Sequence, residues 1–579
     1  MKNNFTFNHN PLLSERLPVW RARFVLITLL LCSVTLLARA MYLQGMNEEF
    51  LQAKGESHYS HILAMPATRG RILDRHGKTL AVSTPMKSIG AIAELAQLSP
   101  VQVTQLAKVL GMDTREINRK LASQKDFVFI KREVPPDVAD RVAALKLPGI
   151  RDEDEYRRYY PFGDVATHVI GFTDIDDKGQ EGVELSLDDQ LAGKPGSRRV
   201  IQDRRGAIVE DVESIRRPQD GRDITLALDE DIQYPAYSAL KKAVEVNRAR
   251  AGAVVVLDAR TGEVLALVNN PTYNPNNREH LSGAQLRNRV LTDTFEPGST
   301  MKPFIAGLAL ESNKFRFDSL IDTGPGAYTL DGATIHDTEA HGLITVAQVV
   351  QKSSNIGAAK IALTMRPEDM WNMYDSLGFG QPLRLGFPGE VGGRLRPYAT
   401  WRPIEQATMA YGHGISVTLM QLAHAYLTLA REGEQIPLSL TRVDAPPLHG
   451  RQIFSPEVAR QVGTMLEMVV GPGGTAPQAA IPGYRVAGKT GTAHKAENGR
   501  YTNRYVSSFV GFAPASDPRF VVAVMIDEPN GKSYYGGDVA APVFAQIMTS
   551  ALRTFGVRPD APIVPMQVAR AGPKPREEM

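Results

Sequence analysis

Glu296-Pro297-Gly298-Ser299-Thr300-Met301-Lys302-Pro303, continued by an apolar run over residues 304–310, is the segment on which the interpretation of this chain turns. Pro297 and Gly298 make a turn. From Ser299 onward the pattern suits a helix, which places Ser299 near its N-cap and Lys302 one turn on, facing the same way. Hydroxyl and amine then touch. A serine hydroxyl is a weak nucleophile at its own pKa, and a lysine held against it takes the proton once burial or a neighbouring cation lowers the lysine pKa. Pro303 fits here, because the N–H groups of a first helical turn have no intrahelical partner.

A Ser-x-x-Lys pattern arises by chance about twice in a chain of this length, and a second copy does stand at Ser238-Ala239-Leu240-Lys241. That copy lies inside an amphipathic run, residues 232–246, where serine would be a mid-helix surface residue with no turn to present it. Ser299 is set apart by two downstream motifs, Ser353-Ser354-Asn355 and then Lys489-Thr490-Gly491-Thr492. Thr345-Val346-Ala347-Gln348 reads as a capping box opening a helix that ends at Lys352, so Ser353 and Asn355 sit at its end, where a hydroxyl and an amide face a cleft. Residues 489–492 read as an edge strand. Such a strand pairs with an extended peptide through its backbone.

Composition narrows the alternatives. A chain of 579 residues is too long for one core and calls for two or three domains. Net charge is +3 with no basic runs, which gives no footprint for nucleic acid. The single cysteine, Cys32, rules out an internal disulfide framework and any Cys-rich metal site. His336-Asp337-Thr338-Glu339-Ala340-His341 crowds four possible ligands together, but its spacing matches no recognised metal pattern and reads as a polar loop; no metal and no cofactor are expected.

The N-terminus carries an address. Arg16, Arg21 and Arg23 precede an apolar stretch over residues 24–38 that extends to Leu43 if Arg39 snorkels. The basic flank, residues 1–23, stays cytoplasmic by the positive-inside rule, and the chain beyond Leu43 lies outside. Ala38-Arg39-Ala40 imitates a signal-peptidase site, so a cleaved signal competes; the run is long enough to span, which favours a retained anchor over residues 24–43.

Beyond a helical continuation over 44–55, residues 66–81 read as a hairpin turning at His76-Gly77, whose Arg69, Arg71, Asp74 and Arg75 fit a solvated surface equally well. Short helical patterns cover 91–146, and Arg158 to Gly163 with His168 to Gly171 form a strand-rich patch. Together, 44–222 look like a mixed, elongated module without repeats. A new texture begins near Asp223: a strand, a helix capped by Asp229, a hairpin over 253–268 with Thr261-Gly262 in its turn, helices through Leu429, and late strands over 485–487, 506–512 and 520–526. That is an α+β arrangement, an antiparallel sheet with helices on its faces, over 223–557. Residues 558–579, rich in proline and charge, read as a disordered tail.

The three motifs in order match the Ser-x-x-Lys, Ser-x-Asn and Lys-Thr-Gly set of penicillin-binding proteins and serine β-lactamases. With the anchor, Arg69 to Arg75, Arg158 to Gly163, His168 and Gly182-Val183-Glu184, nearly the whole chain resembles the class B penicillin-binding proteins, and most of all their division-specific FtsI type. The resemblance implies a peptidoglycan D,D-transpeptidase that acts in septal wall synthesis, binds β-lactams covalently, and has its catalytic domain in the periplasm on a dimerisation-type pedestal. It implies Ser299 as acyl nucleophile, Lys302 as general base, Ser353 as proton relay and Asn355 as holder of the substrate amide. Lys489, Thr490 and Thr492 would meet the terminal carboxylate beside Gly491, and the N–H groups of Ser299 and Thr492 would form the oxyanion hole.

The family also supplies partners: stem peptides, a polytopic glycan polymerase of the FtsW kind, and other division proteins, with the arginine-bearing strands at Arg69, Arg71 and Arg75 offering a surface near the membrane. Residues 471–475 resemble a turn the family places close to the cleft, and Tyr534-Tyr535-Gly536-Gly537 resembles a family loop after the last long strand. The middle residue of the second motif is Ser354, where many class A β-lactamases have aspartate, and no deacylating glutamate is assignable; Glu405 reads as a first-turn helix charge. The rivals are a carboxypeptidase or β-lactam sensor on the same fold, and a catalytically dead scaffold.

Overall fold

The computed structural model describes residues 18–46, 60–92, 95–123, 127–202, 208–446, 449–497 and 500–562. An isolated helix, Val19–Met41, continues through a wider turn, Tyr42–Met46. Its apolar segment, Val19–Gln44, is long enough to cross a membrane once and packs on nothing, as expected of a helix whose solvent is lipid. The helical continuation expected to Gly55 lies outside the described residues beyond Met46.

The pedestal is built on antiparallel strands. Thr79–Ile92 pairs with Phe127–Val134 on one side and Ile150–Tyr159 on the other, and a small separate core forms where helices Pro100–Leu110, Thr114–Leu121 and Pro136–Ala144 pack beside them. The strand at Phe127–Val134 replaces part of the helical alternation expected there. Residues Thr167–Ile170 form a short helix, not a strand.

The charged hairpin departs from a solvated surface. Arg69 and Asp74 are 3% and 0% exposed, and Arg71, paired with Asp223, is the one of the four on the surface. Glu184 sits at 0% exposure between two guanidinium groups, accepting from Arg69 Nε at 2.7 Å and Arg158 Nε at 2.7 Å. Arg158 also donates to Gly70 O, and Arg69 to Glu184 O, so three segments distant in sequence are tied by charges taken out of water. Arg69 is therefore held inside the fold, and Arg75, partly exposed, turns toward Glu263 and Phe555.

The second module is organised by a five-stranded antiparallel sheet in the order Val264–Asn270, Ala251–Asp258, Phe520–Asp527, Arg500–Ala513, Ala487–Glu497. Every residue of Phe520–Asp527 is buried, so both faces of the sheet are covered. Helices Glu230–Val246 and Ala541–Thr554 pack together on the sheet, and Leu419–Ala430 and Pro456–Val470 also pack on it. The Leu419–Ala430 helix is buried all round, matching its apolar circumference. Its core runs on into the pedestal base through Ile72, Leu80 and Val169, so the two modules share apolar packing.

The sheet ends at Ala487–Glu497, which pairs on one side only. At the C-terminus the chain stays docked beyond Arg558: Asp560 accepts from Arg485 N and Ser516 Oγ, and Ala561 N donates to Gly483 O. The rest of the expected tail lies outside the described residues.

Candidate active site

Ser299 lies on a tight turn. Gly298–Met301 is a single 3-10 turn, and the α-helix proper begins one turn later than expected, as Lys302–Glu311 with Pro303 in its first turn. Gly298 is at φ +60°, and a Cβ on Gly412 would fall 2.3 Å from Gly298 O, so a glycine is required where these backbones meet. Tyr426, from the buried helix beneath, donates to Thr300 O at 2.8 Å. The serine is thereby presented on a rigid support.

The second motif is a junction between two helices. Val346–Gln351 starts with the expected Thr345–Gln348 capping box, and Ser353 comes next at φ +60°, an uncommon conformation for a side-chain-bearing residue. A second helix, Asn355–Leu363, begins at once, so Asn355 opens a helix where the end of one was expected. Ser354 is its N-cap, accepting from Gly357 N at 2.9 Å and donating to Asp337 Oδ2 at 2.6 Å. Asp337 Oδ1 accepts from the N–H groups of Asn355 and Ile356. A carboxylate on a helix N-terminus is favourable, and here the 336–341 stretch supplies it.

Lys302 is 1% exposed and its amine meets four oxygens. Nζ is 3.0 Å from Ser299 Oγ, 3.1 Å from Ser353 Oγ and 2.8 Å from Asn355 Oδ1, and it contacts Ser353 O closely. Asn355 Nδ2 donates to His336 O at 2.9 Å, which fixes the amide so that its oxygen faces the lysine. Ser353 O and Asn355 Oδ1 only accept. In its neutral form the amine has two hydrogens for them and one lone pair, which faces the two hydroxyls, Ser299 Oγ and Ser353 Oγ.

Lys489 stands opposite, 0% exposed, with Nζ 3.0 Å from the same Ser353 Oγ. The Ser353 hydroxyl therefore bridges two lysines. Burial lowers the Lys302 pKa well below its ordinary value, and the Lys489 charge adds to the effect against the opposing pull of Asp337. Burial also brings Lys489 down to about 7.

The Lys489 strand approaches Ser299 because Gly491 has no side chain: a Cβ there would lie 2.3 Å from Ser508 Oγ and 2.8 Å from Pro297 O. Thr490 Oγ1 is 3.1 Å from Thr475 Oγ1, which places the turn at 471–475 at the cleft as expected, and Thr492 Oγ1 accepts from Gly536 N at 3.0 Å, which brings the loop after the last long strand there too. The cleft, about 660 Å³, gathers Ser299, Ser353, Asn355, Thr490 and Thr492, with Lys302 and Lys489 beneath its floor.

One wall was not expected from the sequence. His413, Tyr501, His494, Tyr505 and Tyr534 form a chain of ring contacts, closing with Tyr505 stacked on Tyr534 at 4.0 Å. Glu296, the residue that opens the serine segment, accepts from Gly414 N at 2.8 Å and from Tyr501 OH at 3.0 Å, tying the serine turn to this wall.

The decoys stay apart. Ser238 is exposed in mid-helix and Lys241 reaches Tyr237 OH instead. Thr261-Gly262 is a hairpin turn, and Glu405 closes the first turn of Pro403–Met409 onto Arg402 N and pairs with Arg396.

Residues 252–549 match the family of the penicillin binding protein transpeptidase domain, and residues 64–226 that of the penicillin-binding protein dimerisation domain. The chain is 44% identical to the probable peptidoglycan D,D-transpeptidase PenA of Neisseria gonorrhoeae, over 94% of each chain. It is 41% identical to the peptidoglycan D,D-transpeptidase FtsI of Escherichia coli strain K12, over 94% of this chain and 93% of that one. Among solved structures it resembles the transpeptidase domain of Burkholderia pseudomallei penicillin-binding protein 3 at 52% identity and TM-score 0.54, covering 58% of this chain and 98% of that one. A peptidoglycan synthetase of Bifidobacterium adolescentis aligns at 26% identity and TM-score 0.70 over 87% of this chain and 98% of that one.

Proposed function

The chain belongs to the class B penicillin-binding proteins and is a peptidoglycan D,D-transpeptidase, and on that footing we propose that it works through an acyl-enzyme on Ser299. The observation that supports this is the Lys302 amine, buried, with two fixed acceptors at Ser353 O and Asn355 Oδ1 and with Ser299 Oγ 3.0 Å away. Lys302 takes the hydroxyl proton as Ser299 attacks the scissile carbonyl. The oxyanion forms between the N–H groups of Ser299 and Thr492, donors held in place before the reaction begins. Ser353, bridging both lysines, returns a proton to the leaving amine. An acceptor stem-peptide amine then releases the acyl group.

Substrate adds as a further strand on the free edge of Ala487–Glu497, its terminal carboxylate meeting Lys489, Thr490 and Thr492 beside Gly491. Thr490→Val keeps the shape and removes the hydroxyl. It is expected to slow acylation by anionic β-lactams by about ten- to hundredfold, the worth of ~1.5 to 3 kcal/mol for a hydrogen bond to a charged group, with folding intact. Stopped-flow acylation at wild-type rates would place the carboxylate elsewhere.

The same reading makes the enzyme septal, anchored once with its catalytic domain in the periplasm, and dependent on a membrane polymerase of the FtsW kind and other division proteins for the glycan it cross-links. The apolar Val19–Gln44 helix and the likeness to FtsI support this. Sharing one membrane plane raises the effective concentration of the two proteins. Full-length protein reconstituted with lipid-linked precursor is expected to make no glycan alone and to cross-link it when the polymerase is added. Polymer formed by the purified protein by itself would refute the division of labour.

A further inference from the structure

Beyond the cleft, the free edge strand runs on. Ala493 to Ala496 line a second cavity of about 530 Å³, floored by Val506 and Met525, and His494 lines both spaces. A strand advances about 3.4 Å per residue, so these positions lie roughly 3 to 14 Å past Thr492. A peptide laid antiparallel on the edge, with its C-terminal carboxylate at Lys489 and Thr490, carries its earlier residues over this cavity. The second space is therefore on the path of the substrate.

The charges lining it are mostly spoken for. Asp293 is held by Arg287 and Arg289, and Asp527 accepts from Lys495. Glu296 accepts from Gly414 N and Tyr501 OH, while Arg396 is paired with Glu405. Arg394 differs: its backbone bridges Ser416, which fixes its place on the rim, yet among the described residues its exposed guanidinium has no ion pair or hydrogen bond. A guanidinium exposed on a concave wall, where Asp293 and Asp527 are ion-paired and Glu296 is held by Gly414 N and Tyr501 OH, is a receptor for a carboxylate supplied from outside.

We propose that this cavity is a subsite for the donor stem peptide, and that Arg394 selects a residue bearing a free carboxylate two or three positions before the scissile bond. The subsite rests on the transpeptidase reading and makes it more specific. It adds a requirement that small β-lactams, which end near the cleft, do not test.

The experiment uses the full-length protein in detergent and two synthetic thioester peptides ending in a D-Ala analogue, identical except that the residue over the cavity carries a carboxylate or its carboxamide. Wild-type protein is expected to be acylated about two- to fivefold faster, as kcat/KM, by the carboxylate form, the range for one exposed ion pair. In Arg394→Ala that ratio falls to about one, and in Arg394→Lys it is partly restored, because a point charge keeps attraction but loses the two-pronged geometry. The ratio is taken within each protein, so a general loss of fold or activity cancels. Equal rates for the two peptides in the wild type, or a preference that survives Arg394→Ala, overturns the subsite. Benzylpenicillin acylation is measured alongside: its absence in the wild type would strike the parent reading, whereas its presence with no peptide preference strikes the subsite alone.

Discussion

Lys302→Ala is expected to slow acylation of Ser299 by benzylpenicillin by about 10²- to 10⁴-fold, the ordinary worth of a positioned general base. The amine is within 3.0 Å of the hydroxyl, and the only other lysine of the cluster, Lys489, reaches the site through Ser353 Oγ. The loss is therefore in the acylation rate constant, since the groups facing the ligand carboxylate are untouched. Lys241→Ala, in the decoy motif, is expected to leave the rate nearly unchanged, and equal effects of the two would remove the assignment.

The pH profile has two limbs of opposite sign. In the proposed mechanism Lys302 acts when neutral, so acylation is expected to rise with pH as its depressed pKa is passed. Lys489 would meet the ligand carboxylate when charged, so attraction of anionic β-lactams is expected to fall above about pH 7. A bell results, and a rate climbing steadily to high pH would contradict it.

Glu184→Ala is expected to cost about 3 to 5 kcal/mol of stability, because it leaves Arg158 buried without its counter-charge and Arg69 paired with Asp188 alone. The side chains of Arg69 and Arg158 are 1% and 2% exposed and cannot turn to water without opening the pedestal. Urea unfolding should show the loss as an earlier midpoint of the pedestal transition. Below that midpoint penicillin acylation should persist, since the network touches no residue of the cleft. A midpoint unmoved within about 0.5 kcal/mol would mean that water reaches the arginines after all.

Legibility in the sequence has a physical pattern. Ser299, Lys302, Asn355 and Lys489 stood out because the chemistry demands those residue types at set spacings, and the hairpin at Thr261-Gly262 and the cap at Asp229 because local turn and cap chemistry is written in neighbouring residues. The hidden features depend on partners far along the chain. Asp337 gave no sign that it caps the Asn355 helix, since its target lies 18 positions on. Arg69 fits a solvated surface as well as a buried one in the sequence because Glu184, distant along the chain, neutralises it only in the fold. The wall from His413 to Tyr534 comes from three separate segments, and no single window contains it. The strand at Phe127–Val134 was masked by the helical patterns on either side.

If the oxygen beside Lys302 is the one that becomes acylated, the adduct itself will show it. Full-length protein is incubated with benzylpenicillin, digested, and its peptides are sequenced by mass spectrometry. A single penicilloyl adduct is expected, on Ser299, and none in Ser299→Ala. An adduct on any other residue, Ser238 or Ser353 included, or the same adduct yield from Ser299→Ala, would contradict the acyl-enzyme mechanism.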